Sequence, residues 1–231
     1  MRRNYVAISN MLRVYPAVWE PGFWASIGLA RRAQRRGALQ KLRELAPLVA
    51  LLRRRRPRVV VEIGTAQGGT FYAWCQVAEP DAVLVSIDLP DGPFGGDRAA
   101  DSSALRRYGQ PGQQLHFIQD DSHDMKTRAR LEEVLGGREI DFLMIDGDHT
   151  YDGVRQDFEM YAPLVADESP IAFHDILPHP DDSLCEVDRF WNEIRSGYRH
   201  IEFIDVPPAS QGAQYGGIGV LYWDGRVAAL D

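Results

Sequence analysis

Lysine is nearly missing from this chain: Lys41 and Lys126 stand alone among 26 basic residues, and the other 24 are arginine. That bias reports coding composition more than physics. Cysteine is as scarce. Cys75 and Cys185 have neither metal nor disulfide spacing, which points to reduced thiols in a cytoplasmic setting and away from a disulfide scaffold. No apolar run approaches the roughly 18 residues of a membrane-spanning helix. No signal-type apolar segment and cleavage site follow the basic start Met1-Arg2-Arg3-Asn4, so no membrane partner is expected. Internal repeats and low-complexity blocks are also missing. What remains is an ordinary globular composition over 231 residues, enough for one α/β domain with a full core and short for two.

The net charge of −7 hides an asymmetry: residues 1–58 carry 14 basic and 2 acidic side chains, a balance of +12, which leaves −19 on residues 59–231. A basic arm suits nucleic acid or an anionic surface; it equally suits folding onto the acidic body or a neighbouring subunit. The spacing favours the latter. Leu42, Leu45, Leu48, Val49 and Leu52 fall on one helical face, and Arg53 to Arg56 sit where the helix dipole favours cations, before Pro57 stops the helix. Residues 1–56 therefore read as a basic helical extension, a candidate element for homo-oligomer assembly, in front of a domain at 57–231.

From Arg58 onward, candidate strands Val59–Ile63, Ala82–Asp88, Gln114–Gln119, Ile140–Asp146, Pro170–His174, His200–Val206 and Gly217–Trp223 alternate with helical stretches. The helices are expected at Thr70–Val77, Ala99–Tyr108, Lys126–Leu135, Tyr151–Leu164 and Leu184–Ser196. This alternation predicts a Rossmann-like, mostly parallel α/β sheet of seven strands with helices on both faces. The Pro207–Gly216 segment offers no crossover helix, so the last strand is expected to pair antiparallel. The segments Pro90–Gly112 and Ile176–Glu186 are long enough to serve as substrate loops.

In open α/β sheets ligands sit at the carboxyl ends of the strands. Here strand one ends in Glu62 and the turn Gly64-Thr65-Ala66-Gln67-Gly68-Gly69, which opens a helix. Backbone N–H groups in such a turn approach a polar ligand closely. Strand two ends in Asp88, suited to a ribose diol. Strand three ends in Gln119-Asp120-Asp121-Ser122, suited to an adenine edge. Strands four and five end in Asp146-Gly147-Asp148-His149 and His174-Asp175. Asp and Ser are common helix caps, but five consecutive strands that all end in carboxylates read as a site.

The glycine spacing is G-x-x-x-G-G, not the G-x-G-x-x-G of dinucleotide folds. It resembles the first motif of class I S-adenosylmethionine-dependent methyltransferases, in which the carboxylate (here Glu62) faces the methionine end of the cofactor. Together with Ser86-Ile87-Asp88, Asp121-Ser122-His123-Asp124, Ile140 to Val154 and Ile171 to Asp175, it resembles a family of bacterial metal-dependent O-methyltransferases. That family includes natural-product sugar methyltransferases and proteins called cephalosporin hydroxylases, and is distantly related to catechol O-methyltransferases. The resemblance covers residues 58–176.

It implies S-adenosylmethionine bound by Glu62, Gly64, Thr65, Gly68, Gly69, Asp88, Asp121, Ser122 and Asp146. It also implies a divalent cation on Asp146, His174 and Asp175, with Asp148 as a substitute ligand. Oxygen ligands suit Mg²⁺; a true imidazole ligand at His174, where the relatives carry a carboxylate, brings in Mn²⁺, Fe²⁺ or Zn²⁺. His149 stands where catechol-type relatives carry a basic lysine, and an imidazole of ordinary pKa roughly 6.5 suits a general base. The expected reaction is methyl transfer to a hydroxyl of a small diol, a sugar or a hydroxylated aromatic, with Phe94, Tyr215 and Trp191 as candidates for stacking on it. A nucleic-acid methyltransferase is disfavoured, since no Asn/Asp-Pro-Pro-aromatic motif follows strand four. A non-catalytic accessory protein of a biosynthetic pathway is the remaining alternative.

Overall fold

The computed structural model describes residues 22–90, 102–179, 184–205 and 215–226. Phe94, the chain before residue 22 and most of the Pro207–Gly216 loop lie outside them. Two helices come first, α1 (Phe23–Gln34) and α2 (Leu42–Arg55). The alternating part follows: β1 (Val59–Ile63), α3 (Gly69–Val77), β2 (Val83–Asp88), α4 (Ser102–Arg106), β3 (Gln114–Gln119), α5 (Met125–Leu135), β4 (Phe142–Ile145), α6 (Tyr151–Tyr161), β5 (Pro170–Leu177), α7 (Val187–Ile194), β6 (Arg199–Phe203) and β7 (Gly216–Tyr222). The strands form one sheet in the order β3-β2-β1-β4-β5-β7-β6. β7 pairs antiparallel with both β5 and β6, and the other pairings are parallel. The expected antiparallel last strand is present, inserted between β5 and β6. Among the described residues no helix is long and apolar enough to cross a membrane.

Alternation along the central strands divides the interior into two cores. Val59, Val61, Ile63, Val83, Val85, Ile87, Leu143 and Ile145 pack with α5, α6 and α7 on one face. Val60, Leu84, Phe142 and Met144 pack with α1, α2 and α3 on the other. Central strands buried on both faces read as unbroken apolar runs, which is why β1, β2 and β4 are legible in the sequence.

Several boundaries differ from expectation. β5 does not stop at His174 but continues to Leu177 through an irregularity in its pairing with β7, and Asp175 takes φ +62° there. The helix after β4 ends at Tyr161 and tightens into a 3-10 turn at Ala162–Leu164, because Pro163 has no N–H to continue the α-helical ladder. The helix expected from Leu184 starts at Val187. Trp191, a candidate for stacking on substrate, is instead 1% exposed. Its ring presses on Gly219, where a Cβ would lie 2.6 Å away, and its Nε1 donates to Glu202 at 2.8 Å.

The described part of the basic segment folds onto the body. Leu45, Leu48, Val49 and Leu52 are fully buried in the second core. Arg43 pairs with Asp205 at 3.1 Å, Arg56 with Glu79 at 2.9 Å, and Arg55 donates to the Glu168 carbonyl at 2.9 Å. Contact is closest at Gly69, the first residue of α3. A Cβ there would lie 2.1 Å from Ala38 N and 2.6 Å from Ala33 O, both backbone atoms. On the opposite core, His123 secures the wholly buried Asp157 of α6. Its Nε2 is 3.1 Å from the Gly153 carbonyl oxygen and 3.4 Å from Asp157 Oδ1. The neighbouring Asp157 carboxylate pushes the His123 pKa up to about 9 against the effect of burial.

Two expectations follow. Helix propensity alone makes Gly69→Ala stabilising by about 1 kcal/mol, but the backbone collision reverses the sign to a loss of about 1–3 kcal/mol, readable as a lowered denaturation midpoint. His123→Ala costs about 1–3 kcal/mol near pH 6.5 by stranding a buried carboxylate. Because the folded pKa of His123 lies above its unfolded value, this contribution is complete below about pH 6.5 and fades as pH rises through about 9. Urea melts of the two proteins should therefore converge above that pH.

Candidate active site

Register builds the site. Ile63 pairs with Ile145, and Ile145 with Phe173, so the next residues of β1, β4 and β5 are Gly64, Asp146 and His174 in one row. Period-two alternation turns that row toward the face covered by α1 and α2. Gly64 is needed there: at φ +80°, a Cβ would lie 2.0 Å from the Asp146 carbonyl oxygen. The turn beyond it is pinned by Asp88, whose Oδ2 accepts hydrogen bonds from Thr65 N at 2.9 Å and Ala66 N at 2.6 Å. The Ser86 hydroxyl donates to Thr65 Oγ1 at 2.7 Å.

Asp146 is the hub. Its Oδ1 lies 3.2 Å from both His149 Nε2 and His174 Nδ1, and its Oδ2 accepts a hydrogen bond from Gln40 Nε2 at 2.6 Å. Asp175 closes the ring: its Oδ2 is 3.4 Å from His149 Nδ1 and 3.3 Å from His174 Nδ1, and its Oδ1 is 3.3 Å from His179 Nε2. Burial raises the cost of ionising Asp146, but the His174 charge and hydrogen bonds from both imidazoles pull its pKa down to about 2. Asp175 is also lowered against burial, by His174. Burial works against charge on His149 as well; Asp146, Cys185 and Asp175 outweigh it and push His149 up to about 11. Asp146 and Asp175 likewise push His174 up to about 10. As it stands, the cluster is neutralised by its own protons.

These groups border a cavity of about 700 Å³. Its wall takes in Gly64, Thr65 and Ala66 from the turn, Asp146 to Thr150 after β4, His174 and Asp175 in β5, Cys185, Tyr215 and the Gly37–Lys41 corner between α1 and α2. Asp146, His174 and Asp175 offer ligand atoms within 4.8 Å of one another, as do His149, Asp175 and Cys185. Asp148 stands apart from both trios and binds the Thr150 backbone N–H at 2.8 Å instead.

The remaining residues expected to hold the cofactor lie outside the cavity wall. Glu62 is buried beneath the turn: its Oε1 accepts the Trp74 indole N–H at 2.7 Å, its Oε2 has no hydrogen-bond partner among the described residues, and burial pushes its pKa up to about 8. Gly68 caps α3 at φ +79° and Gly69 begins it. The Asp121 carboxylate accepts from His123 N at 2.9 Å, and the Ser122 carbonyl accepts the Tyr161 hydroxyl at 2.6 Å. Sequence reasoning did not single out Gln40, Lys41 or His179. No local pattern marks them, because each reaches the site only through folding.

Comparison with known proteins adds identity to this geometry. The crystal structure of the O-methyltransferase TomG from Streptomyces achromogenes, involved in tomaymycin synthesis and bound to S-adenosylmethionine, is 19% identical. It superposes with a TM-score of 0.56 over 92% of this chain and 95% of its own. An O-methyltransferase from Bacillus cereus bound to S-adenosylhomocysteine is 16% identical, with a TM-score of 0.56 over 88% and 91%. At these identities the likeness establishes the fold. An uncharacterized protein of Sinorhizobium fredii, y4gI, is 22% identical over 173 residues; they make up 75% of this chain and 18% of that one, so this chain spans under a fifth of that relative. Residues 61–176, half of the chain, match the methyltransferase-domain family, and the protein belongs to it.

Proposed function

We propose that the chain transfers the methyl group of S-adenosylmethionine to a hydroxyl of a small diol-bearing molecule, a natural-product sugar or a hydroxylated aromatic, with a divalent cation at Asp146, His174 and Asp175. The observation that carries this reading is the meeting of these three residues and His149 in one cavity beside the glycine turn. The S-adenosylmethionine-bound neighbour supports the choice of methyl donor. Two carboxylates and an imidazole form a donor set that fits Mg²⁺ or, with nitrogen included, Mn²⁺. The cation would stabilise negative charge developing on the acceptor oxygen, and the sulfonium would supply an already activated methyl group.

The protein's own share is placement and proton transfer. Positioning is worth about 7–11 kcal/mol in favourable cases. The turn, pinned by Asp88, fixes one wall of the cavity; the Asp146 row fixes the other. His149 takes the hydroxyl proton. An imidazole that two carboxylates hold protonated is no base; Asp146 and Asp175 would hold the cation, and their charge would then no longer keep the proton on His149. Base and ion therefore stand or fall together. The described part of the N-terminal extension belongs to the same working unit, since Gly37 to Lys41 line the cavity.

Asp175→Asn, a residue that tolerates positive φ, should abolish measurable turnover while S-adenosylhomocysteine still binds in calorimetry. His149→Ala should lower kcat by about 10²–10⁴-fold. Excess chelator should stop methyl transfer to a catechol or sugar-diol panel, and Mg²⁺ or Mn²⁺ should restore it; undiminished activity in chelator contradicts the cation.

A further inference from the structure

The corner between α1 and α2 delivers Gln40 to the centre of the site from 106 residues away in sequence. The residue is 3% exposed. Its backbone carbonyl accepts a hydrogen bond from Gln34 Nε2 at 3.0 Å, which steadies the corner. Facing a carboxylate, the side-chain amide must present its N–H, and Nε2 donates to Asp146 Oδ2 at 2.6 Å. The other half of the amide is left over. Gln40 Oε1 is shut off from solvent and accepts no hydrogen bond among the described residues.

A buried acceptor without a donor is costly unless a ligand brings one. Gln40 lines the cavity alongside Gly64, Thr65 and Asp146, and Gly64 and Asp146 are in direct backbone contact. At the edge of that cavity the unpaired Gln40 amide oxygen and the Asp146 carboxylate lie side by side, joined by the amide N–H. Acceptors grouped in this way suit a cation with several N–H bonds, which is a primary ammonium. The methyl donor named above carries one at its amino-acid end.

Resting on that reading of the site, we propose that Gln40 recognises the α-ammonium of the methyl donor through Oε1 while Nε2 holds Asp146 in place. The helical extension thereby contributes a cofactor-recognition residue to the methyltransferase domain.

The test is a calorimetric comparison of two ligands on the full chain: S-adenosylhomocysteine, and its analogue with hydrogen in place of the α-amino group. Gln40→Leu should weaken S-adenosylhomocysteine by about tenfold to a hundredfold, the loss of one hydrogen bond to a charged group. Affinity for the deaminated analogue should stay within about twofold. Equal losses for both ligands in a variant with native circular dichroism, or no loss for either, overturn the proposal. Gln40→Met, of similar length and equally without the acceptor, carries the same expectation if the leucine variant does not fold. Wild-type protein that binds neither ligand withdraws the methyl-donor reading itself, and this proposal with it.

Discussion

Backbone register between β1, β4 and β5 is the constraint on which the rest depends. Parallel pairing that sets Ile63, Ile145 and Phe173 abreast also sets Gly64, Asp146 and His174 abreast one residue later. A slip of one residue in β4 would turn Asp146 to the opposite core. The apolar residues specify that register, since Leu143 and Ile145 must face one core while Phe142 and Met144 face the other. Hydrophobic sorting in the sheet interior thus fixes the position of polar chemistry at its edge.

The row faces the side of the sheet roofed by α1 and α2, so the extension closes the site as well as covering apolar surface. Gly69 lets the corner between those helices approach within backbone contact, and the corner carries Gln40 onto Asp146. Three donors then converge on one carboxylate, two of them imidazoles. A buried Asp146 with a neighbouring Asp175 would be mutually repulsive if both were bare; the protonated imidazoles supply the compensating charge. A divalent cation is the natural alternative source of that charge.

Much of this was legible in the sequence. β-Branched and apolar runs mark β1, β2 and β4, carboxylates mark their ends, and the glycine spacing marks the turn. Asp146, His149, His174 and Asp175 do meet. Long-range consequences were not legible. Strand five carries on through an irregularity after His174 because β7 pairs along it, and β7 is remote in sequence. Trp191 and Tyr215 look equivalent as aromatic candidates, yet one fills the space above Gly219 while the other is 52% exposed on the cavity wall. Asp88 closes strand two as expected, but one of its oxygens is committed to the backbone of the turn, which the sequence does not reveal. Gln40 gives no local signal, because its partner is chosen by the packing of two helices.

The most direct test of the central claim is a crystal of the full chain grown with S-adenosylhomocysteine and Mn²⁺, read by anomalous scattering at the manganese edge. The account predicts one strong peak at ligand distance from Asp146, His174 and Asp175, with the thioether sulfur beside the Gly64 turn. An ordered S-adenosylhomocysteine with no manganese on those three residues, or manganese bound elsewhere, would contradict it.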